Sequence, residues 1–481
     1  MKILMVSSEA VPFSKSGGLA DVATSLSEAL SKLKNDVRLV LPLYGSTDDS
    51  NFTTLKIDLE VTVGGKTESV KVKETKRGDL IIYFIDHKWF SERKGIYGET
   101  SFIPYGDNLI RYTLLSKAAL ALCKALKWQA DIIHGHDWTT GFLPSLVKEE
   151  KSDFFKKAKT IFTIHNLGYQ GEFARFDGVL ADLPLSKEYF TGQGINKRLN
   201  MMKGALIKSD LITTVSPTYA QEIQTAEQGH NLDPLLRQRS DSLIGILNGI
   251  DINEWNPEND ALLNDRFSAS DLSGKERLKM QLQKCFKLAV DKDVPLIGMI
   301  SRIAEQKGFV ELLEGSVSPL EQILSDFSVQ IVIVGTGDSA LEEKLKTLGE
   351  LHDNLSVNLI FSNEAAHLVE AGSDFFLMPS RYEPCGLNQM YSLRYGTIPI
   401  ARETGGLADS IVDYDEKNST GFLFEQMTGA AIYTAVKRSL DVYENKKDQF
   451  LMMRKRAMNV DFSWVHSAQE YLDAYKKTTR G

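Results

Sequence analysis

The sequence predicts an α/β protein of two domains, each built on a parallel sheet, facing each other across a cleft. Three observations lead there. Short β-branched runs alternate along the chain with segments of helical apolar spacing. The runs are continuously apolar, as suits strands buried on both faces of a parallel sheet. One phrase also occurs near both ends: Lys15-Ser16-Gly17-Gly18-Leu19-Ala20-Asp21 is echoed by Glu403-Thr404-Gly405-Gly406-Leu407-Ala408-Asp409. Each copy follows an apolar run, 3–6 or 398–401, and opens a segment that can be helical. A strand, a Gly-Gly turn and a helix start bring backbone N–H groups together where anions bind.

The remaining elements follow in order. After 3–6, Leu19, Val22, Ala23, Leu26, Ala29, Leu30 and Leu33 step by three or four and form one helical stripe. Strands are expected at 37–41, 132–133, 160–164, 211–215 and 243–247, then at 295–300, 330–334, 358–361 and 375–378. The stretch 61–85 alternates and carries Gly64-Gly65, which predicts antiparallel strands inserted in the first domain. Asn248-Gly249-Ile250-Asp251, with Trp255-Asn256-Pro257, is turn-rich and marks the linker. The domains are therefore expected at 1–247 and 248–462. The closing segment, 463–481, reads as an amphipathic helix presenting Tyr471, Leu472 and Tyr475.

The whole chain narrows the class. Its 481 residues exceed one ordinary domain, and 42% apolar with 25% charged residues is a globular composition. A net charge of −8 argues against general nucleic-acid binding. The three scattered cysteines, Cys123, Cys285 and Cys385, fit neither a disulfide framework nor a zinc site. The first strand starts at once, with no leader expected, and no apolar run approaches the roughly 18 residues of a membrane span. A cytoplasmic protein is expected, with its oligomeric state left open.

Ligands of open α/β sheets bind beyond the carboxyl ends of the strands, and several polar clusters fall there. His134 and His136 share a strand face. They suit either a metal pair lacking a third ligand or a packed core histidine beside a cleft-facing Asp137. Gly335-Thr336-Gly337 is a weak nucleotide-turn signal. Cys385 suits a packing thiol better than a nucleophile. Arg302 and Lys307 read either as ordinary loop charges or as a two-cation clamp on phosphate. Glu383-Pro384-Cys385-Gly386 leads into a helical pattern, setting a carboxylate beside a helix start. The plainer reading of Glu383 is an N-terminal helix charge.

Together these residues resemble the bacterial glycogen synthases and plant starch synthases, essentially end to end. The resemblance rests on 15–21, His136-Asp137-Trp138, Thr163-Ile164-His165-Asn166, 248–251, Ser301-Arg302 through Lys307-Gly308, 383–387 and Thr404-Gly405-Gly406-Leu407. It implies a retaining glucosyltransferase of the GT-B architecture, two Rossmann-like domains with a C-terminal helix crossing back to the first. The implied donor is ADP-glucose, the acceptor the non-reducing 4-hydroxyl of an α-1,4-glucan, with no metal or other cofactor.

By the same resemblance, Lys15, Gly17 and Gly18 approach the donor phosphates, and Arg302 and Lys307 grip the diphosphate. Glu383 and the amides of Cys385 and Gly386 hold the transferred glucose. His165, Asp137, Asn248 and Asp21 surround the glucose and acceptor. Leu387, Asn388, Thr404 and Gly405 complete the binding residues. The chain departs from the family's commoner Thr, His and Thr at Ser16, Thr139 and Asn388, and 357–363, where the base would lie, holds no tyrosine. Small-acceptor transferases and a non-catalytic glucan-binding protein are the competing readings; the 15–19 and 383–386 motifs disfavour the first. Glu383, Arg302, Lys307 and His165 disfavour the second.

Overall fold

The computed structural model describes residues 1–100, 103–183, 186–415 and 417–480. It divides into two compact units: Met1–Gly249 with Trp464–Gly481, and Ile250–Ser463. The first division falls two residues beyond the 247/248 boundary that the turn residues suggest. Ile250 N–H bonds to the Phe462 carbonyl at 2.8 Å, and Ile250 bridges Ser463, so the chain enters and leaves the second unit side by side.

The sheet of the first unit runs Leu243–Gly245, Leu211–Thr214, Lys159–Ile164, Ile132–His136, Lys2–Val6, Asp36–Pro42, Leu80–Asp86, Lys66–Arg77, Thr53–Val63. All neighbours are parallel up to Leu80–Asp86, and the last two strands are antiparallel. The alternating stretch forms the expected antiparallel strands within the first unit, joined to its main sheet. Leu80–Asp86 pairs in parallel with Asp36–Pro42, and the hairpin extends the main sheet's edge. Gly64 and Gly65, at φ +61° and +72°, close that hairpin with the two left-handed residues a type I′ turn requires.

Successive strand residues feed opposite faces. Leu4, Val6 and Val40 pack with Leu114, Leu115 and Ala118 of the helix Asn108–Ala125. Ile3, Met5, Leu39 and Leu41 pack with Val22, Leu26 and Leu30 of Gly18–Lys32, and with Ala468, Tyr471 and Tyr475 of Trp464–Arg480. The closing helix therefore belongs to the first unit's core.

In the second unit the order is Leu355–Asn358, Gln330–Val334, Leu296–Ile300, Phe375–Met378, Ile398–Arg402, Phe422–Phe424, all parallel. Ile297, Met299, Ile331, Ile333, Phe375 and Leu377 form its core with Phe309, Ile323 and Leu345. The edge strand lies at Leu355–Asn358, earlier than the apolar run 358–361 predicts. Its partner ends at Val334, opposite Asn358, so the following residues have no strand to join. No helix among the described residues is long and apolar enough to cross a membrane.

Candidate active site

In the first unit, three adjacent parallel strands deliver the polar residues. Lys2–Val6 leads into 7–18, Ile132–His136 into Asp137, and Lys159–Ile164 into His165 and Asn166. Asp137 sits at φ +54° and ψ −179°, a backbone region sparsely populated by residues other than glycine. Such strain costs on the order of 1–3 kcal/mol and persists where surrounding bonds over-determine it. Here the Asp137 N–H donates to the Thr163 carbonyl at 3.0 Å, and Oδ1 accepts the backbone N–H groups of His165 at 2.8 Å and Asn166 at 3.4 Å. Burial pushes the Asp137 carboxyl up to about 7, against the lowering effect of those two N–H donors.

This fixes a prediction for Asp137→Asn, which keeps the oxygen acceptor and the side-chain shape. Above pH 7 the native carboxylate is charged in both folded and unfolded chains, and only the folded one carries the burial penalty. Below the ordinary value of 3.8 both are neutral and the penalty is absent. The variant is therefore expected to be more stable at pH 8, by about 1–2 kcal/mol once partial solvent contact is allowed for. The gain shrinks as pH falls through 7. Denaturant melts at pH 8 and 5.5 check this; no gain at pH 8 would count against a strained, burial-raised carboxyl.

Lys15 Nζ donates to Asp21 Oδ1 at 2.9 Å, with the Lys15 side chain 49% exposed. Burial raises the Asp21 carboxyl, and Lys15 opposes that shift. Gly17 and Gly18 are exposed, and nothing lies within 4 Å of where a Cβ on Gly17 would stand. Sequence reasoning missed Glu9. Its carboxylate is 2% exposed and accepts bonds from the Ser16 N–H, the Ser16 hydroxyl at 2.8 Å, the Gly17 N–H at 3.3 Å and the Tyr97 hydroxyl. Burial raises its pKa. An internal anion thus shapes the loop expected to receive a phosphate. Asn248 is 5% exposed, and its Oδ1 has no hydrogen-bond partner among the described residues.

His134 is committed to the protein: Nδ1 pairs with Tyr475 Oη at 2.7 Å and Nε2 with Thr163 Oγ1 at 2.6 Å. Among the described residues no three His, Cys, Asp or Glu side chains are grouped to hold a metal ion.

In the second unit, Leu296–Ile300, Phe375–Met378 and Ile398–Arg402 are neighbours, and their carboxyl ends bring the remaining residues together. Glu383, 6% exposed, accepts from Lys307 Nζ at 2.5 Å and Ser380 Oγ at 3.0 Å. Arg302 lies on the same loop as Lys307, and its guanidinium reaches Gln306 Oε1 at 3.4 Å. Cys385 is buried in no disulfide, Gly386 stands at φ +69°, and half-buried Leu387 caps the short helix Asn388–Arg394. The Asn388 amide donates to the Ile300 carbonyl at 2.8 Å, tying the start of that helix to the end of Leu296–Ile300.

Thr404 is 1% exposed, and the Gly406 N–H donates to the Glu383 carbonyl at 3.0 Å. A Cβ on Gly405 would stand 2.0 Å from the Glu383 carbonyl oxygen, and one on Gly406 2.0 Å from that of Cys385. The second Gly-Gly is therefore a seat for the backbone that carries Glu383. The first is open.

Two largely parallel sheets, each with polar loops at the carboxyl ends of its strands and the second holding a carboxylate–lysine pair, are the arrangement found in a starch synthase of the GT-B glycosyltransferase fold. Residues 2–238 match the starch synthase catalytic domain family, and residues 281–452 match glycosyl transferases group 1. A glycogen synthase of Treponema denticola is 43% identical over 99% of this chain and 98% of its own. One from Geotalea daltonii is 42% identical over 99% and 98%. The catalytic domain of starch synthase IV from Arabidopsis thaliana, bound to ADP and acarbose, superposes with a TM-score of 0.89 at 33% identity, covering 100% of this chain and 99% of that one. The chain belongs to the glycogen and starch synthase family. It is a glucosyltransferase of glycogen synthesis, using a nucleotide-sugar donor and a glucan acceptor.

Proposed function

We propose that the chain transfers glucose, with retention, from ADP-glucose to the non-reducing 4-hydroxyl of an α-1,4-glucan, releasing ADP in the cytoplasm. The observation that carries this reading is the full-length likeness to a starch synthase structure holding ADP and acarbose. The absence of disulfides at Cys123, Cys285 and Cys385 agrees with a reducing compartment.

In this reaction the anomeric C–O bond breaks toward the diphosphate, leaving negative charge there and positive charge on the sugar. In the second unit, Arg302 and Lys307 meet the growing phosphate charge as fixed cations, the role otherwise taken by a metal. The family resemblance also assigns Lys15 and the Gly17-Gly18 backbone to the donor phosphates. Glu383 and the Cys385 and Gly386 amides hold the glucose hydroxyls, with Leu387, Asn388, Thr404 and Gly405 framing that pocket. Asp137, His165, Asn248 and Asp21 contact the sugar and acceptor. The acceptor hydroxyl bonds to the anomeric carbon on the face the phosphate leaves, and its proton passes to the departing phosphate oxygen.

Phe361, 96% exposed just beyond Leu355–Asn358, supplies an aromatic face for the base where no tyrosine stands. Incubation with glycogen and labelled ADP-glucose or UDP-glucose tests the reading. Polymer labelling is expected at least about tenfold faster from ADP-glucose, and Phe361→Ala is expected to raise the donor KM about tenfold with kcat nearly unchanged. Preference for UDP-glucose would reject the donor assignment, and an unchanged KM in the variant would reject the role of Phe361.

A further inference from the structure

The proposed chemistry leaves the imidazole of His136 unused. His136 is fully buried beside the Asp137 loop, stacked on His134 with ring centroids 4.3 Å apart. Its Nδ1 lies 3.0 Å from Nε2 of His165, and its own Nε2 is buried with no hydrogen-bond partner among the described residues. Burial lowers the pKa of both rings, that of His136 to about 3, so both are uncharged at neutral pH. One hydrogen therefore lies between them, and it has two possible owners.

If His165 owned it, the proton of His136 would sit on Nε2, stranding an N–H in the interior. If His136 owns it, only a lone pair is stranded. The same asymmetry is seen in backbone groups, where orphaned buried N–H donors are rarer than under-satisfied carbonyl acceptors. The hydrogen bond made by one ring nitrogen then decides the protonation of the other. We propose that His136 is a positioning residue that donates its Nδ1–H to His165 Nε2, thereby fixing His165 as the Nδ1–H tautomer. His165 then offers the substrate a hydrogen-bond donor and no acceptor. It suits a sugar hydroxyl oxygen or a phosphate oxygen, but not a proton to be abstracted. The last step rests on the reading of His165 as a sugar-contacting residue; the tautomer itself does not.

Imidazole nitrogen NMR on the full chain labelled at histidine, at pH 7.5, tests the assignment, with His165 identified by its loss in His165→Gln. The expected pattern is a pyrrole-type Nδ1 and a pyridine-type Nε2 for His165; the reverse pattern overturns the proposal. Two variants test the positioning. His136→Phe keeps the ring stack but removes the donor, and is expected to lower kcat about a hundredfold with donor KM within a few-fold. His136→Asn can still donate toward His165 Nε2 and is expected to recover most of that loss. Equal losses in both variants, with the His165 pattern unchanged, would make His136 structural and overturn its positioning role. Should glucosyl transfer fail with every nucleotide sugar while the NMR pattern holds, the functional reading falls and the tautomer assignment stands.

Discussion

Glu383→Ala is expected to reduce glucosyl transfer by on the order of a thousandfold, equivalent to about 4 kcal/mol of barrier, while ADP still binds measurably by calorimetry. The carboxylate is 6% exposed and is held at Oε2 by Lys307 and by Ser380. Its backbone is held too, through the Glu383 carbonyl and the Gly406 N–H. A charged group fixed this way before substrate arrives needs no reorganisation as positive charge develops on the sugar. Alanine removes that charge and the hydroxyl contacts together. The cost to folding is smaller, because Lys307 is 19% exposed and can turn to solvent. Glu383→Gln separates shape from charge: it can still accept from Ser380, and little recovery of turnover is expected. Loss of ADP binding in parallel with turnover would instead assign Glu383 a structural role.

What was legible in the sequence follows from the range of the forces involved. Continuous apolar runs such as 330–334 and 375–378 became central parallel strands, because burial on both faces leaves a local signature. The hairpin at Gly64-Gly65 was legible for a similar reason, since turn chemistry is local. The attachment of Leu80–Asp86 to the main sheet was not, because a parallel partner lies far off in the chain. The repeated Gly-Gly-Leu-Ala-Asp marks a helix start both times, Gly18–Lys32 and Gly405–Ser410. Yet one pair of glycines opens to solvent and the other sits under the Glu383 and Cys385 carbonyls. Identical local sequence cannot report that difference. Glu9 was invisible in the same way: its anchor Tyr97 is 88 positions away, and a lone glutamate after a strand carries no pattern. Phe361 ends an apolar run that reads as a strand, and only its exposure past the end of Leu355–Asn358 sets it apart.

Lys307→Ala is expected to lower kcat by about a hundredfold to a thousandfold, the range for removing one preorganised stabilising group, with glucan affinity nearly unchanged. Arg302→Ala is expected to act in the same direction; near-normal turnover in both variants would dismiss the clamp. Lys307 has a second partner that complicates the reading. Its ammonium holds Glu383 at 2.5 Å, and the Glu383 side chain is only 8% exposed. Removing one member of a buried pair strands the other charge, at a cost of about 3–5 kcal/mol where burial is complete. The lost turnover can then reflect a displaced Glu383 as well as a lost phosphate contact. Lys307→Ala combined with Glu383→Gln resolves this, because the glutamine leaves no charge to strand. If Lys307 serves only to hold Glu383, the double variant turns over like Glu383→Gln alone and binds ADP as tightly. If the ammonium also meets the diphosphate, the double variant is slower again and its ADP affinity falls about tenfold, the loss of one charge-assisted contact of about 1.4 kcal/mol. An ammonium has three donors and can satisfy a carboxylate and a phosphate oxygen together, so the second outcome is the expected one.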